Sequence, residues 1–204
     1  MRQKKRRDRL VRWAEQRTDT LLVWEDECWF SRFAQPRLRS WAEPEHPLKL
    51  MQRTPPTQCP DKALACYGAL RHDTRQVYLH FATGQPDTDS TIDFLRRLLA
   101  LARSLRKQYL VVIWDNASWH LSRKLRAWLR AYKQIAKHRR DVRLLVFYLP
   151  SKSPWLNPIE PQWVHAKRQT LEPSSSPLTS LELRRRLFGY FGTKPLILAA
   201  NYHA

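Results

Sequence analysis

Glycine is scarce in this 204-residue chain, at four residues, and none falls in a GxGxxG or GxxxxGK[ST] pattern. That excludes the Gly-rich loops that cradle nucleotide phosphates. Cysteine is scarcer still. Cys28, Cys59 and Cys66 are odd in number and lack CxxC spacing, which argues against a disulfide framework or a structural zinc site and for reduced thiols. No apolar run approaches the roughly 18–20 residues of a membrane helix. The basic N-terminus MRQKKRRDRL is not followed by an apolar core, so a secretory signal is not expected. Acidic residues are few, with 18 Asp+Glu against 37 Lys+Arg, for a formal net charge of +19. The expectation is a soluble cytoplasmic protein with no membrane partner.

What is present is a folded composition with a polyanion-binding charge. Hydrophobic residues make up 43% and there are nine Trp, too apolar for a disordered basic tail. A charge of this size favours nucleic acid as partner. Residues 1–17 read as a basic helix with Leu10, Trp13 and Ala14 as an inner stripe. They hold eight Lys/Arg and two acids, so most of the excess charge lies elsewhere in the chain.

Thr20–Trp24 is a short apolar run that enters the acidic triplet Glu25, Asp26 and Glu27, and Cys28–Phe33 reads as a second strand. Gln35–Asp61, rich in Pro and polar groups, reads as a long irregular connection. Ala63–Leu70 and Gln76–Thr83 read as strands joined by the turn-like RHDTR. A helix is expected to open at Ser90, with Ser90 and Asp93 as a capping box. Its apolar positions Ile92, Leu95, Leu99 and Ala102 recur at helical spacing. Tyr109–Trp114 and Arg143–Leu149 are nearly all apolar, as strands buried on both faces are. Between them Leu121–Arg139 reads as a helix with Leu125, Trp128, Leu129 and Tyr132 inward and many Lys/Arg outward. A helix over about Ile159–Leu171, a linker Glu172–Ser180 and a last helix capped by Thr179 and Glu182 complete the order. A meander followed by β-α-β-α gives an α/β fold with a mixed sheet and helices on its faces.

Three carboxylates stand out by position. Asp26 lies at the expected end of the first strand, Asp115 directly follows YLVVIW, and Glu160 opens the helix after the third apolar run. The crevice outside strand carboxyl ends is where ligands bind in open α/β sheets. Carboxylates converging there repel unless a cation joins them, and Mg²⁺ held by carboxylates and phosphate oxygens suits a basic protein. Two such ions clamp the attacking and leaving oxygens of a displacement at phosphorus. Each residue also has a plainer reading. Asn157, Pro158 and Glu160 fit N-cap, N1 and N3 of a capping box. Asp115-Asn116 fits a turn start, the acidic triplet fits a solvated strand end, and His120 fits a packing histidine.

The strings VWEDECWF, VVIWDNASWH and FYLPSKSPWLNPIEPQW, in that order, resemble the DDE-superfamily transposases of bacterial insertion sequences related to mariner elements. Trp41, the strand ending YGAL and the TxDFL helix start are similar to that family too, and the resemblance spans roughly residues 20–170. It implies a ribonuclease-H-like fold, with residues 1–19 as a basic lead-in helix, 20–171 as the catalytic domain and 172–204 as linker and C-terminal helix. It implies cleavage of DNA at element ends and strand transfer into target DNA, with two Mg²⁺ ions, or Mn²⁺ in their place.

Carried over residue by residue, the resemblance makes Asp26, Asp115 and Glu160 the catalytic, metal-binding carboxylates. Asn116 and His120 would orient phosphate or the ligands, and Arg123, Lys124, Arg126 and Arg130 would contact the DNA backbone or form a solvated basic face. The 45 positions from Asp115 to Glu160 exceed the compact mariner-like spacing, and the excess falls in the basic helix. Family members carry helix-turn-helix domains ahead of the catalytic domain, whereas about 20 residues precede the first strand here. A homodimer at the bacterial nucleoid is expected, with a separate polypeptide supplying the helix-turn-helix region. The alternative is a truncated, non-catalytic DNA-binding remnant. A ribonuclease-H-like nuclease of repair or RNA processing does not share the LPSKSPWLNPIEPQW context.

Overall fold

A computed structural model of the chain describes residues 2–31, 63–82, 84–151, 153–171 and 178–196. The element order is α1 (Arg2–Glu15), β1 (Thr20–Ser31), β2 (Ala63–Arg71), β3 (Val77–Ala82), α2 (Thr88–Ser104), β4 (Tyr109–Trp114), α3 (Arg123–Arg139), β5 (Arg143–Tyr148), α4 (Glu160–Thr170) and α5 (Ser180–Phe191), with a 3₁₀ turn at Pro154–Leu156 before α4. The expected connection over Gln35–Asp61, with Trp41 and Cys59, lies outside the described residues, as does most of the linker after Leu171.

The five strands form one sheet in the order β3-β2-β1-β4-β5. The first three are an antiparallel meander, and β4 and β5 continue it in parallel with β1. The mixed sheet expected from the element order is therefore present. Parallel strands need helical crossovers, and α3 supplies the one from β4 to β5. Among the described residues, no helix is long and apolar enough to cross a membrane.

Alternation along the strands divides the core in two. Leu21 and Val23 of β1, Tyr67 of β2 and Leu110, Val112 and Trp114 of β4 pack against α2 and α3. Leu22, Trp24, Cys28 and Phe30 of β1, with Val111 and Ile113 of β4, pack against α4 and α5 on the other face, where Ala14 of α1 also lies. Both faces of β4 are covered, which is why its sequence is continuously apolar. Cys28 and Cys66 are free, buried and directly opposite each other across β1 and β2.

Three expectations are corrected. Thr20–Trp24 and Cys28–Phe33 are not two strands: β1 runs unbroken from Thr20 to Ser31, with the acidic triplet in its middle. Helix α2 starts at Thr88, and Asp87 is its N-cap, accepting from the Ser90 amide. The Asp93 carboxylate that Ser90 was expected to share pairs instead with Arg97 and His80. Helix α4 begins at Glu160 after Ile159, with no side-chain cap, so Asn157 is not its N-cap. The expected Thr179 cap of α5 is present through the Glu182 amide, and α3, expected from Leu121, starts at Arg123 with Ser122 as its N-cap.

Candidate active site

The site forms where β1 outruns β4. The parallel pairing of β1 with β4 stops at Trp24 opposite Ile113, while its antiparallel pairing with β2 continues to Ser31. Beyond Trp24 the Glu25 carbonyl is met by the Asn157 side-chain amide at 2.9 Å. A buried carbonyl needs a partner, and this one draws the PSKSPWLNP turn onto the strand. Asp115 then follows the last residue of β4, and Asn116 donates to the Leu149 carbonyl at 2.6 Å. The ends of β4 and β5 and the start of α4 thus close on one cleft of about 350 Å³, lined by Asp115, Asn116, Leu149, Asn157 and Glu160 among others.

Asp26 is buried on the α4 side of the sheet. Its Oδ2 accepts a 2.9 Å hydrogen bond from the Trp163 indole, and Trp163 lies one turn along α4 from Glu160. Space for that indole comes from Gly68, the residue opposite Asp26 on β2. A β-carbon there would overlap the Trp163 ring and lie 2.9 Å from the Ile159 Cδ1 atom.

Burial, then the negative charge of Glu160 and Glu27, pushes the Asp26 carboxyl up to about 8 against the donation from Trp163, with Asp115 adding to the rise. Glu160 is also raised, by burial and by the charge of Asp115. Asp115 is held below the ordinary carboxylate range: burial opposes this, but hydrogen bonds from His120 and the Ala117 amide outweigh it. Asp26 thus feels the charge of Glu160 and Asp115, and Glu160 that of Asp115, with burial the larger cause in both and Lys167 partly offsetting the rise at Glu160. Among the described residues, the acidic and histidine side chains whose ligand atoms lie within 4.8 Å of one another are Glu25, Glu27 and His120, not these three.

The expectation that the acidic triplet is a solvated strand end is overturned: Glu25 is 1% exposed and Asp26 9% exposed. Because side chains alternate, Glu25 and Glu27 face the α2–α3 side, opposite Asp26. There they meet His120, which is fully buried and stacked on Trp114 with ring centroids 4.3 Å apart. His120 Nδ1 lies 3.0 Å from Asp115 Oδ1. Its Nε2 lies 3.1 Å from Glu27 Oε1 and 3.4 Å from Glu25 Oε2. Trp119 donates to Glu27 Oε1 at 2.7 Å. Burial alone would strip the proton from His120; the hydrogen bonds to Asp115 and Glu27 and the charges of Glu25 and Glu27 outweigh it and push the imidazole up to about 10.

The basic residues singled out on α3 are all exposed. Lys124 pairs with Asp89 at 2.5 Å, and the Arg126 guanidinium turns back onto the Leu121 carbonyl. Sequence reasoning did not single out Trp163, Gly68, Trp119 or the inward turn of Glu25 and Glu27, and it read Asn157 only as an N-cap. The i, i+3 spacing of Glu160 and Trp163 was the one available signal, since it puts both on one face of α4.

The sequence profile of DDE superfamily endonucleases matches residues 21–182, from the second residue of β1 into α5. The chain belongs to this family. No curated protein matches this chain by sequence. Among solved structures it is similar to the Mos1 transposase paired-end complex with left transposon end, at 17% identity and a TM-score of 0.63, over 96% of this chain and 55% of that one. It is similar to the mariner Mos1 paired end complex with Mg at 18% identity and a TM-score of 0.61, over 94% and 55% of the two chains. Against the catalytic domain of Mos1 mariner transposase the identity is 16% and the TM-score 0.55, over 95% and 82%. The chain thus has the ribonuclease-H-like fold of that catalytic domain, and it spans about half the length of the Mos1 chains in the paired-end complexes.

Proposed function

We propose that this chain is the catalytic domain of a transposase, cleaving DNA at insertion-sequence ends and joining them to target DNA. The observation that carries the reading is that Asp115 and Glu160 line one cleft, with Asp26 buried near enough for both to raise its carboxyl. The all-carboxylate donor set fits Mg²⁺, with Mn²⁺ as a substitute, because both are hard ions that take oxygen ligands. The raised carboxyls of Asp26 and Glu160 are what a cation site displays without its counter-charge. Asp26, Asp115 and Glu160 are the metal-binding, catalytic residues in this reading, and they hold two ions. When bound, the ions supply Lewis acidity that favours ionisation of water or a DNA 3′-hydroxyl and stabilises the leaving oxygen.

The chain's own side chains do the rest. Trp163 fixes the rotamer of Asp26, and His120 holds Asp115 through Oδ1. Asn116 joins the β4 and β5 ends and borders the path of the phosphate. Arg123, Lys124, Arg126 and Arg130 add to a field that draws in the DNA backbone. The catalytic unit is residues 20–171, led by the basic helix of residues 1–19 and followed by a linker and helix over 172–204. The partners are element-end DNA, target DNA and a second copy of the chain, with a separate helix-turn-helix polypeptide reading the ends, at the nucleoid of a bacterial cytoplasm. Mos1 structures with transposon-end DNA and with Mg support this reading for a chain of the same fold.

In-line displacement by water leaves a 3′-hydroxyl and a 5′-phosphate, the end needed for strand transfer. Plasmid nicked by the chain with Mg²⁺ is therefore expected to be resealed by DNA ligase. Nicks that ligase does not close would contradict the proposal.

A further inference from the structure

We propose that Glu25, Glu27 and His120 form a second cation site, buried behind the cleft, for a divalent ion of the zinc or manganese class. It does not rest on the cleavage reading, since it lies on the α2–α3 side of β1 and shares no ligand with Asp26, Asp115 and Glu160. Each of the three residues offers one ligand atom, and these atoms all lie within 4.8 Å of one another.

Three observations point to an ion. First, the spacing is that of ligands around a metal. A tetrahedral ion with bonds of about 2.0–2.1 Å holds its ligand atoms about 3.4 Å apart. The His120 Nε2 atom is 3.1 Å from Glu27 Oε1 and 3.4 Å from Glu25 Oε2.

Second, the atoms aimed at this point lack aligned hydrogen-bond partners. Both carboxylate oxygens of Glu25 and the Nε2 of His120 are buried without one. Buried polar atoms left so are costly, and metal bonds to one Glu25 oxygen and to His120 Nε2 relieve two of them. Without a metal the His120 imidazolium offsets one of the two carboxylate charges; a divalent ion takes the place of that proton and offsets both.

Third, the surroundings are those of a ligating histidine. Such residues direct the other ring nitrogen at a carboxylate or carbonyl, which sets the tautomer. His120 Nδ1 faces Asp115 Oδ1 at 3.0 Å. The ring is clamped on Trp114, the His120 carbonyl accepts from the Tyr148 hydroxyl at 3.0 Å, and Trp119 fixes Glu27. An imidazole with two carboxylates selects zinc or manganese over magnesium, and three protein ligands leave a fourth position for water. Through the Asp115–His120 hydrogen bond, the ion would also hold Asp115 toward the cleft.

The test is metal content of the full chain after loading with Zn²⁺ and dialysis, read by mass spectrometry, with thermal unfolding beside it. The Asp26→Asn/Glu160→Gln variant disables the cleft carboxylates and is expected to keep one Zn²⁺ per chain and a Zn²⁺-dependent rise in Tm. Glu25→Gln and His120→Gln are expected to bind Zn²⁺ at least tenfold more weakly. Should those two fail to fold, Co²⁺ added to the wild-type chain is expected to give intense tetrahedral visible bands without a thiolate charge-transfer band. Loss of Zn²⁺ from Asp26→Asn/Glu160→Gln, retention in Glu25→Gln at wild-type affinity, or weak octahedral Co²⁺ bands would each overturn the proposal. In that case the His120 imidazolium is the counter-charge of the cluster. None of these readouts involves cleavage, so their failure is separate from failure of the proposed activity.

Discussion

Trp163 donates its indole N–H to Asp26 across 2.9 Å, from a helix that begins 134 positions after that aspartate. The contact exists because Gly68, opposite Asp26, has no side chain to occupy the same space. Strand, neighbouring strand and helix thereby set the orientation of one buried carboxylate.

Gly68→Ala pushes a methyl into the Trp163 ring, and overpacking of this kind costs about 1–3 kcal/mol. Trp163→Phe keeps most of the ring but leaves Asp26 without its donor, a loss of about 1–3 kcal/mol when the carboxyl is ionised. Urea unfolding is expected to show both losses, and plasmid nicking to fall more than tenfold in each. Wild-type nicking by Trp163→Phe would remove the indole from the account of the site.

Stability of the metal-free chain is expected to fall as pH rises from about 4 to about 8. The folded Asp26 carboxyl holds its proton up to about 8, against an ordinary value of 3.8, so over this range the folded state binds more protons than the unfolded one and stability declines with pH. Glu25 and Glu160 shift the same way, and His120, raised from 6.5 to about 10, extends the decline above pH 8, whereas the lowered Asp115 acts only in acid, below its ordinary value. One such proton changes stability by up to about 1.4 kcal/mol per pH unit. Melts in EDTA from pH 5 to 9 check this: Asp26→Asn flattens the decline and saturating Mg²⁺ opposes it. A melting temperature that rises over this range in EDTA would contradict the assignment of Asp26.

Much of this fold was legible because β4 is covered on both faces and so reads as a continuous apolar run with Asp115 directly at its end; β5 reads the same way but is an edge strand with only Leu144 fully buried, so its expected burial on both faces is not met. Helix α3 was legible from the Leu125, Leu129 and Tyr132 stripe, although Trp128 is only partly buried. The middle of β1 was not. Three consecutive acids read as the end of a strand, since nothing local neutralises them. Their burial depends on Trp163, Trp119, His120 and Asn157, which come from segments 92–137 positions away. Asn157 misled in the same way: its position fits an N-cap, yet its amide serves the Glu25 carbonyl where β4 has ended. The carboxylates could be picked out from strand ends and motifs, but the side chains that position them arise from tertiary packing.

Arg123 and Arg130 are exposed on α3, and contacts to phosphate release counterions. Arg123→Ala and Arg130→Ala are each expected to weaken plasmid binding evenly across sequences. Each should also flatten the dependence of log K on log salt by up to about 0.9. Fluorescence anisotropy across a salt series reads both quantities. An unchanged slope in both variants would make this helix face a solvated surface.

The central claim is that Asp26, Asp115 and Glu160 act as one metal-dependent site, and the most direct measurement compares wild type with Asp115→Ala on supercoiled plasmid in Mg²⁺ or Mn²⁺. Nicking is expected in the wild type with metal, absent with EDTA, and abolished in Asp115→Ala, which should bind DNA as well as or better than wild type after losing a negative charge. Nicking by Asp115→Ala at the wild-type rate, or no nicking by a wild-type chain that still binds DNA in a salt-sensitive way, would contradict it. The second result would favour a DNA-binding remnant.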